Sequence, residues 1–271
     1  MNSCRLFGGP VLLQPVGRPG HFDHATGLSG LIGQLGRTNL PVLIHPEFWA
    51  RRRLAIPGEP FELPTTSRRA LEDAGFGIIE QRQPSFLYDQ SVLITGEVDR
   101  VTGFEKGFPI HQAWRGESWE PDPLILDDQA LIAHVAGRGL VVLTGCGHAG
   151  VINICRYAQV LTGVAKLHAV IGGFHLTGPL FEPVLGDTVS ALKQLAPEVI
   201  VPAHCTGWKA THATARRLHP EQRWHHAANS ALYATRPTRW TIFWRTFLPC
   251  QLRRFARLSM KMMGIIRRSH R

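Results

Sequence analysis

The stretch His21-Phe22-Asp23-His24 sets two imidazoles and a carboxylate in one turn, directly behind Pro19 and Gly20. Imidazole nitrogen together with carboxylate oxygen suits zinc, iron or manganese better than calcium or magnesium. Three further histidines stand in glycine-flanked loops: His148 in LTGCGHAG, His175 in IGGFHL and His204 in VPAHCTG. Any one of them alone reads as an ordinary structural histidine. Four such segments in one chain point to a metal site. Among His45, His111, His134, His168, His212, His219, His225 and His226, only His45, in IHPE, has a comparable setting, and it is expected to be a pocket residue.

Positioning these donors requires elements that bring distant loops to one edge. Leu28, Leu31, Ile32 and Leu35 have helical spacing, so a helix is expected directly after the HFDH turn. PVLIHP is a short strand bounded by prolines, and SRRALEDAGF a helix ending at Gly75. Residues 51–66 read as irregular, SVLITGEV as a strand, and RVTGFEKGFPIHQAWRGESWEPDPL as a long loop. From residue 124 onward the pattern alternates: two strands around a tight turn at Gly137 to Gly139, the helix VINICRYAQVLTG, the strand KLHAVIGGFHL, the helix DTVSALKQLAP, the strand EVIVPAHCTGW and the helix ATHATARRL. Such alternation predicts a layered α/β fold. His148, His175 and His204 each then follow a strand end.

The chain has 271 residues and a formal net charge of +10, enough length for a sizeable core. The charge is not spread over it. From Trp224 onward there is no Asp or Glu, while Arg236, Arg239, Arg245, Arg253, Arg254, Arg257, Lys261, Arg267, Arg268 and Arg271 all fall there. The basic character therefore belongs to the tail, and no nucleic-acid partner is expected. Leu252, Phe255, Leu258, Met262 and Ile265 give that tail a helical apolar face, a candidate for contact with membranes or acidic surfaces. No apolar run suggests a membrane span, and no secretory signal is read at the N-terminus. Five scattered cysteines form no disulfide framework, so a reducing cytoplasm is the expected location.

GHFDHATGL, VVLTGCGHAGVIN, IGGFHL and PAHCTG, in this order, resemble successive motifs of the metallo-β-lactamase superfamily. With TGEVDRVTGFEKGFP and LDDQALI they resemble its branch related to the archaeal dihydropterin/ribofuranosylaminobenzene phosphate synthase of methanopterin biosynthesis. The resemblance runs from about Gly20 to Leu218 and implies an αββα sandwich with a dinuclear site on its edge. It implies two divalent ions, zinc first, with iron or manganese as alternatives. His21 and His148 would bind the first ion; Asp23, His24 and His204 would bind the second. His175 stands where many members place a bridging aspartate and is a further expected ligand, and Asp23 and His175 are the two expected to act in catalysis. Two cations would lower the pKa of a bridging water and polarise a substrate oxygen. The expected substrate is a small molecule, phosphorylated or pterin-like, and the expected activity is that of a hydrolase or a dihydropterin-synthase-like transferase.

Two departures qualify this expectation. The family turn is His-x-His-x-Asp-His, and Pro19 occupies its first position. The strands that normally precede the turn have no counterpart in residues 1–19, and the family wording stops near Gln222. The expected organisation is an unpatterned segment (1–19), a metallo-β-lactamase-like domain incomplete on its N-terminal side (20–222) and a basic tail (223–271), a truncated or frameshifted product with impaired activity. The alternative expectation is a non-catalytic remnant whose basic tail binds acidic surfaces.

Overall fold

A computed structural model describes Leu12–Leu13, residues 39–217 and Arg223–Trp224. The HFDH turn, the helix expected after it and the basic tail beyond Trp224 lie outside the described residues.

In chain order the elements are β1 (Leu12–Leu13), β2 (Pro41–Ile44), β3 (Arg52–Leu54), β4 (Phe61–Leu63), α1 (Arg68–Asp73), β5 (Gly77–Glu80), β6 (Ser85–Leu87), β7 (Val92–Ile94), β8 (His111–Trp114) and β9 (Trp119–Pro121). They continue with β10 (Ala130–Val135), β11 (Gly139–Thr144), α2 (Val151–Thr162), β12 (Leu167–Gly173), α3 (Leu185–Leu195), β13 (Val199–Ala203), α4 (Trp208–Arg217) and β14 (Arg223–Trp224). Three sheets result, ordered β1-β2-β5, β14-β13-β12-β11-β10-β7-β6 and β4-β3-β8-β9.

The large sheet carries the core because its strands are apolar on both faces. Ile132, Leu140, Val142, Val170 and Ile200 pack on one side with Ile152, Ile154 and Cys155 of α2 and Leu192 of α3. Their neighbours Ala133, Val141, Ala169, Ile171, Val199 and Val201 pack on the other. Leu43 of β2 meets Val92, Ile94 and Leu131, which joins the small parallel sheet to the large one face to face. Behind that small sheet, Leu71 of α1 packs with Val42, Ile44, Phe48 and Phe76. The layers are therefore helix, sheet, sheet, helix, as expected from sequence. Ser67 caps α1 by accepting from the Ala70 N–H at 3.2 Å, and Gly163 ends α2 in the left-handed conformation.

Strands β11, β12 and β13 run parallel, with a register shift between Leu140 and Val141, so their C-terminal ends share one edge, where α/β sheets characteristically bind ligands. The third sheet corrects the sequence reading. Residues 51–66 and the expected long loop over 100–124 contain β3, β4, β8 and β9, paired antiparallel. These strands are three or four residues long, too short to show a period. Their central buried side chain is also charged: Arg52 is 1% exposed and pairs with Asp122 and Asp127.

Candidate metal centre

The loops after β11, β12 and β13 deliver His148, His175 and His204 to the same edge of the sheet. His148 is buried, His175 half-buried and His204 exposed. The rings of His148 and His175 meet edge to face with centroids 4.3 Å apart. His175 and His204 both hold left-handed backbone, at φ 47° and 49°, a costly conformation for a non-glycine residue and one that clusters at functional sites. The three sequence-derived donors among the described residues are thus brought together. His21, Asp23 and His24 lie outside the described residues.

Glycines let the loops approach. A Cβ on Gly172 (φ +131°) would lie 1.9 Å from the Thr144 carbonyl oxygen, and one on Gly147 (φ +71°) 2.6 Å from that of Gly173. Thr206 Oγ accepts from the Phe174 N–H at 3.0 Å and donates to the Ala203 carbonyl at 2.7 Å, tying the β12 and β13 loops. The His148 loop is held by two buried carboxylates. Asp128 accepts from the Ala149 N–H at 2.7 Å, and Glu105 accepts from the Ile152 and Asn153 N–H groups at 2.9 and 2.8 Å, at the positive end of α2. Burial raises the Glu105 carboxyl above its ordinary range and pushes Asp128 up to about 7.

Two cysteines that enter the sequence analysis only as members of a scattered set without a disulfide framework join this cluster. Cys146 Sγ lies 3.4 Å from His175 Nδ1 and 3.1 Å from Cys205 Sγ. Donor atoms of Cys146, His148 and His175 lie within 4.8 Å of one another, as do those of Cys146, His204 and Cys205. Burial opposes ionisation of the Cys205 thiol. Its hydrogen bonds with Cys146 and His175, and the charges of His175 and His204, outweigh this and hold it well below the ordinary thiol range. The usable signal was local: each thiol lies within two residues of a candidate histidine. This set of imidazoles and thiols fits a transition metal ion.

Aromatic rings form one wall. Phe181 meets His175 at a centroid distance of 4.3 Å, and Phe108 lies 5.0 Å from Phe181 and 5.4 Å from His175. His111 sits 5.7 Å from Phe108, fully buried beside Asp122. Trp208, 71% exposed, opens α4 directly after the His204 loop. His45, expected in a pocket, is instead buried in a structural network: Nε2 pairs with Glu97 at 2.9 Å and Nδ1 accepts from the Glu47 N–H.

No family model matches the chain. It is 30% identical over 197 residues to the 7,8-dihydropterin-6-methyl-4-(β-D-ribofuranosyl)-aminobenzene-5'-phosphate synthase of Methanocaldococcus jannaschii, covering 70% of this chain and 65% of the synthase. The chain thus spans slightly less than two thirds of that relative's length. It is also 30% identical over 196 residues to an uncharacterised protein of the same archaeon, covering 70% of this chain and 68% of that one. The crystal structure of a metal-dependent hydrolase of the β-lactamase superfamily superposes with a TM-score of 0.63 at 22% identity, over 79% of this chain and 75% of that one.

Proposed function

We propose that the chain, 30% identical to the archaeal dihydropterin–ribofuranosylaminobenzene phosphate synthase and folded like a metal-dependent hydrolase of the β-lactamase superfamily, is a member of that superfamily in the synthase's branch, binds a pair of divalent metal ions and acts on a small, planar, phosphorylated molecule of pterin type. The observation that carries this reading is the convergence of His148, His175 and His204 on one sheet edge. In the proposed site these three act with His21, Asp23 and His24. The bound ions would supply Lewis acidity toward a phosphate or ester oxygen.

The chain's own residues do the rest. Asp128 and Glu105 fix the backbone that presents His148. Phe108 and Phe181 pack against His175, and in the proposed site their rings would line the side from which a flat ring enters. That wall favours a heteroaromatic substrate over a purely aliphatic ester.

Metal analysis of the purified full-length chain is the primary test. Close to two zinc-type ions per chain are expected, with large losses in His148→Ala and His204→Ala. Quenching of a reduced pterin's fluorescence should require the metal-loaded protein and weaken in Phe181→Ala. Substoichiometric metal that does not respond to either histidine substitution would overturn the reading in favour of a non-catalytic remnant.

A further inference from the structure

We propose that Cys146 and Cys205 are sulfur ligands of the metal centre, with the Cys146 sulfur shared between the His148–His175 group and the His204–Cys205 group. The inference rests on the metal-binding reading above and specifies which atoms hold the ions.

Cys146 is the residue common to both donor groups. The donor atoms of each group lie within 4.8 Å of one another, a spacing compatible with ligation of one ion at the roughly 2.0 to 2.3 Å typical of nitrogen and sulfur bound to zinc. His175 Nδ1 faces Cys146 Sγ at 3.4 Å, and a thiolate sulfur has lone pairs for two ions, so Cys146 can serve both donor groups from one loop.

Local backbone is shaped to admit the sulfurs. A Cβ on Gly173 would lie 2.9 Å from Cys205 Sγ and 2.5 Å from the Gly145 carbonyl oxygen, so only glycine leaves that space. Cys155 shows the contrast: it is buried among the apolar residues of α2, and burial raises its thiol strongly. Sulfur binds the ion as thiolate, so a thiol still protonated in the metal-free chain gives its proton to solvent on metal uptake. Sulfur ligation also narrows the choice of metal, favouring zinc or cobalt over manganese and magnesium.

The test uses the full chain, stripped with a chelator, kept reduced with a phosphine and reloaded with cobalt(II). Wild type is expected to show a near-ultraviolet thiolate-to-cobalt charge-transfer band. Cys146→Ser and Cys205→Ser should each lose part of it, the double variant all of it, and Cys155→Ser none. An independent measurement needs no variant: zinc should protect Cys146 and Cys205 of the wild-type chain from alkylation, read by peptide mass. Cobalt bound without the band, a band unchanged in the double variant, thiols unprotected by zinc, or a Cys146–Cys205 disulfide in the metal-loaded protein would each overturn the inference and leave the metal-binding reading standing. A wild-type chain that binds no cobalt at all would overturn both.

Discussion

Replacing Arg52 by methionine tests how the four-stranded sheet β4-β3-β8-β9 supports the edge that carries the candidate metal site. Arg52 projects from β3 at 1% exposure, donates from Nε to Asp122 at 2.9 Å, and forks onto Asp127 from Nη1 and Nη2 at 3.0 and 2.6 Å. Burial alone would favour a neutral guanidinium, but the charges of Asp127 and Asp122 more than reverse this. Methionine fills much of the same volume without charge. Two of the three Arg52 hydrogen bonds go to Asp127, which is 0% exposed, so the larger electrostatic loss falls there. Removing one partner of a buried ion pair costs about 3 to 5 kcal/mol. The neighbouring Arg51–Glu62 pair has both side chains about half exposed, so Arg51→Ala should cost far less, because solvent screens that pair. Urea unfolding measures both. Adding Asp127→Asn to Arg52→Met should recover part of the loss, because it removes a buried charge that has lost its Arg52 fork. If Arg52→Met is no more destabilising than Arg51→Ala, or if Asp127→Asn adds a full second penalty, the buried-charge argument is wrong.

Asp128→Asn should flatten the dependence of stability on pH. With the folded-state carboxyl raised to about 7 from an ordinary 3.8, the unfolded chain releases this proton first. Stability is therefore present at low pH and is lost as pH rises from about 4 to about 7, by on the order of 2 to 4 kcal/mol. Asparagine keeps an acceptor for the Ala149 N–H, so urea midpoints at about pH 5 and about pH 8 should differ less than in wild type; an equal difference would exclude Asp128 as the source. Gly172→Ala should cost at least about 2 kcal/mol and lower bound metal, because its Cβ has no room against Thr144. Normal stability and metal content in that variant would show that the two loops are not fixed at this contact. Glu105→Gln should be milder, since an amide oxygen can still accept at the start of α2, whereas Glu105→Ala should be clearly destabilised and bind metal more weakly. Equal behaviour of the two would mean that the carboxyl position is not held by those N–H bonds.

Sequence reasoning reached the part of this molecule whose pattern repeats. Strands β10 to β13 are continuous apolar runs broken by glycine turns, and α2, α3 and α4 carry helical spacing, so their order and the edge they define could be read directly. The same logic located His148, His175 and His204, because each follows a strand end in a glycine-flanked loop. It failed where structure is made by pairing rather than by period. Strands β3, β4, β8 and β9 are too short to show alternation, and Arg52 looks like a surface residue until Asp122 and Asp127 are seen around it. Phe108 and Phe181 lie in Gly- and Pro-rich segments, where an aromatic residue gives no sign of which face it lines. Cys146 and Cys205 are separated by 59 positions, and counting cysteines for disulfides gave no reason to connect them. The two loops connect them because β11, β12 and β13 run parallel with their ends level. In a parallel sheet, a donor's neighbours in sequence therefore belong to the site as candidates. A thiol two residues before His148 and another one residue after His204 are carried to the same edge by the strands that carry the histidines.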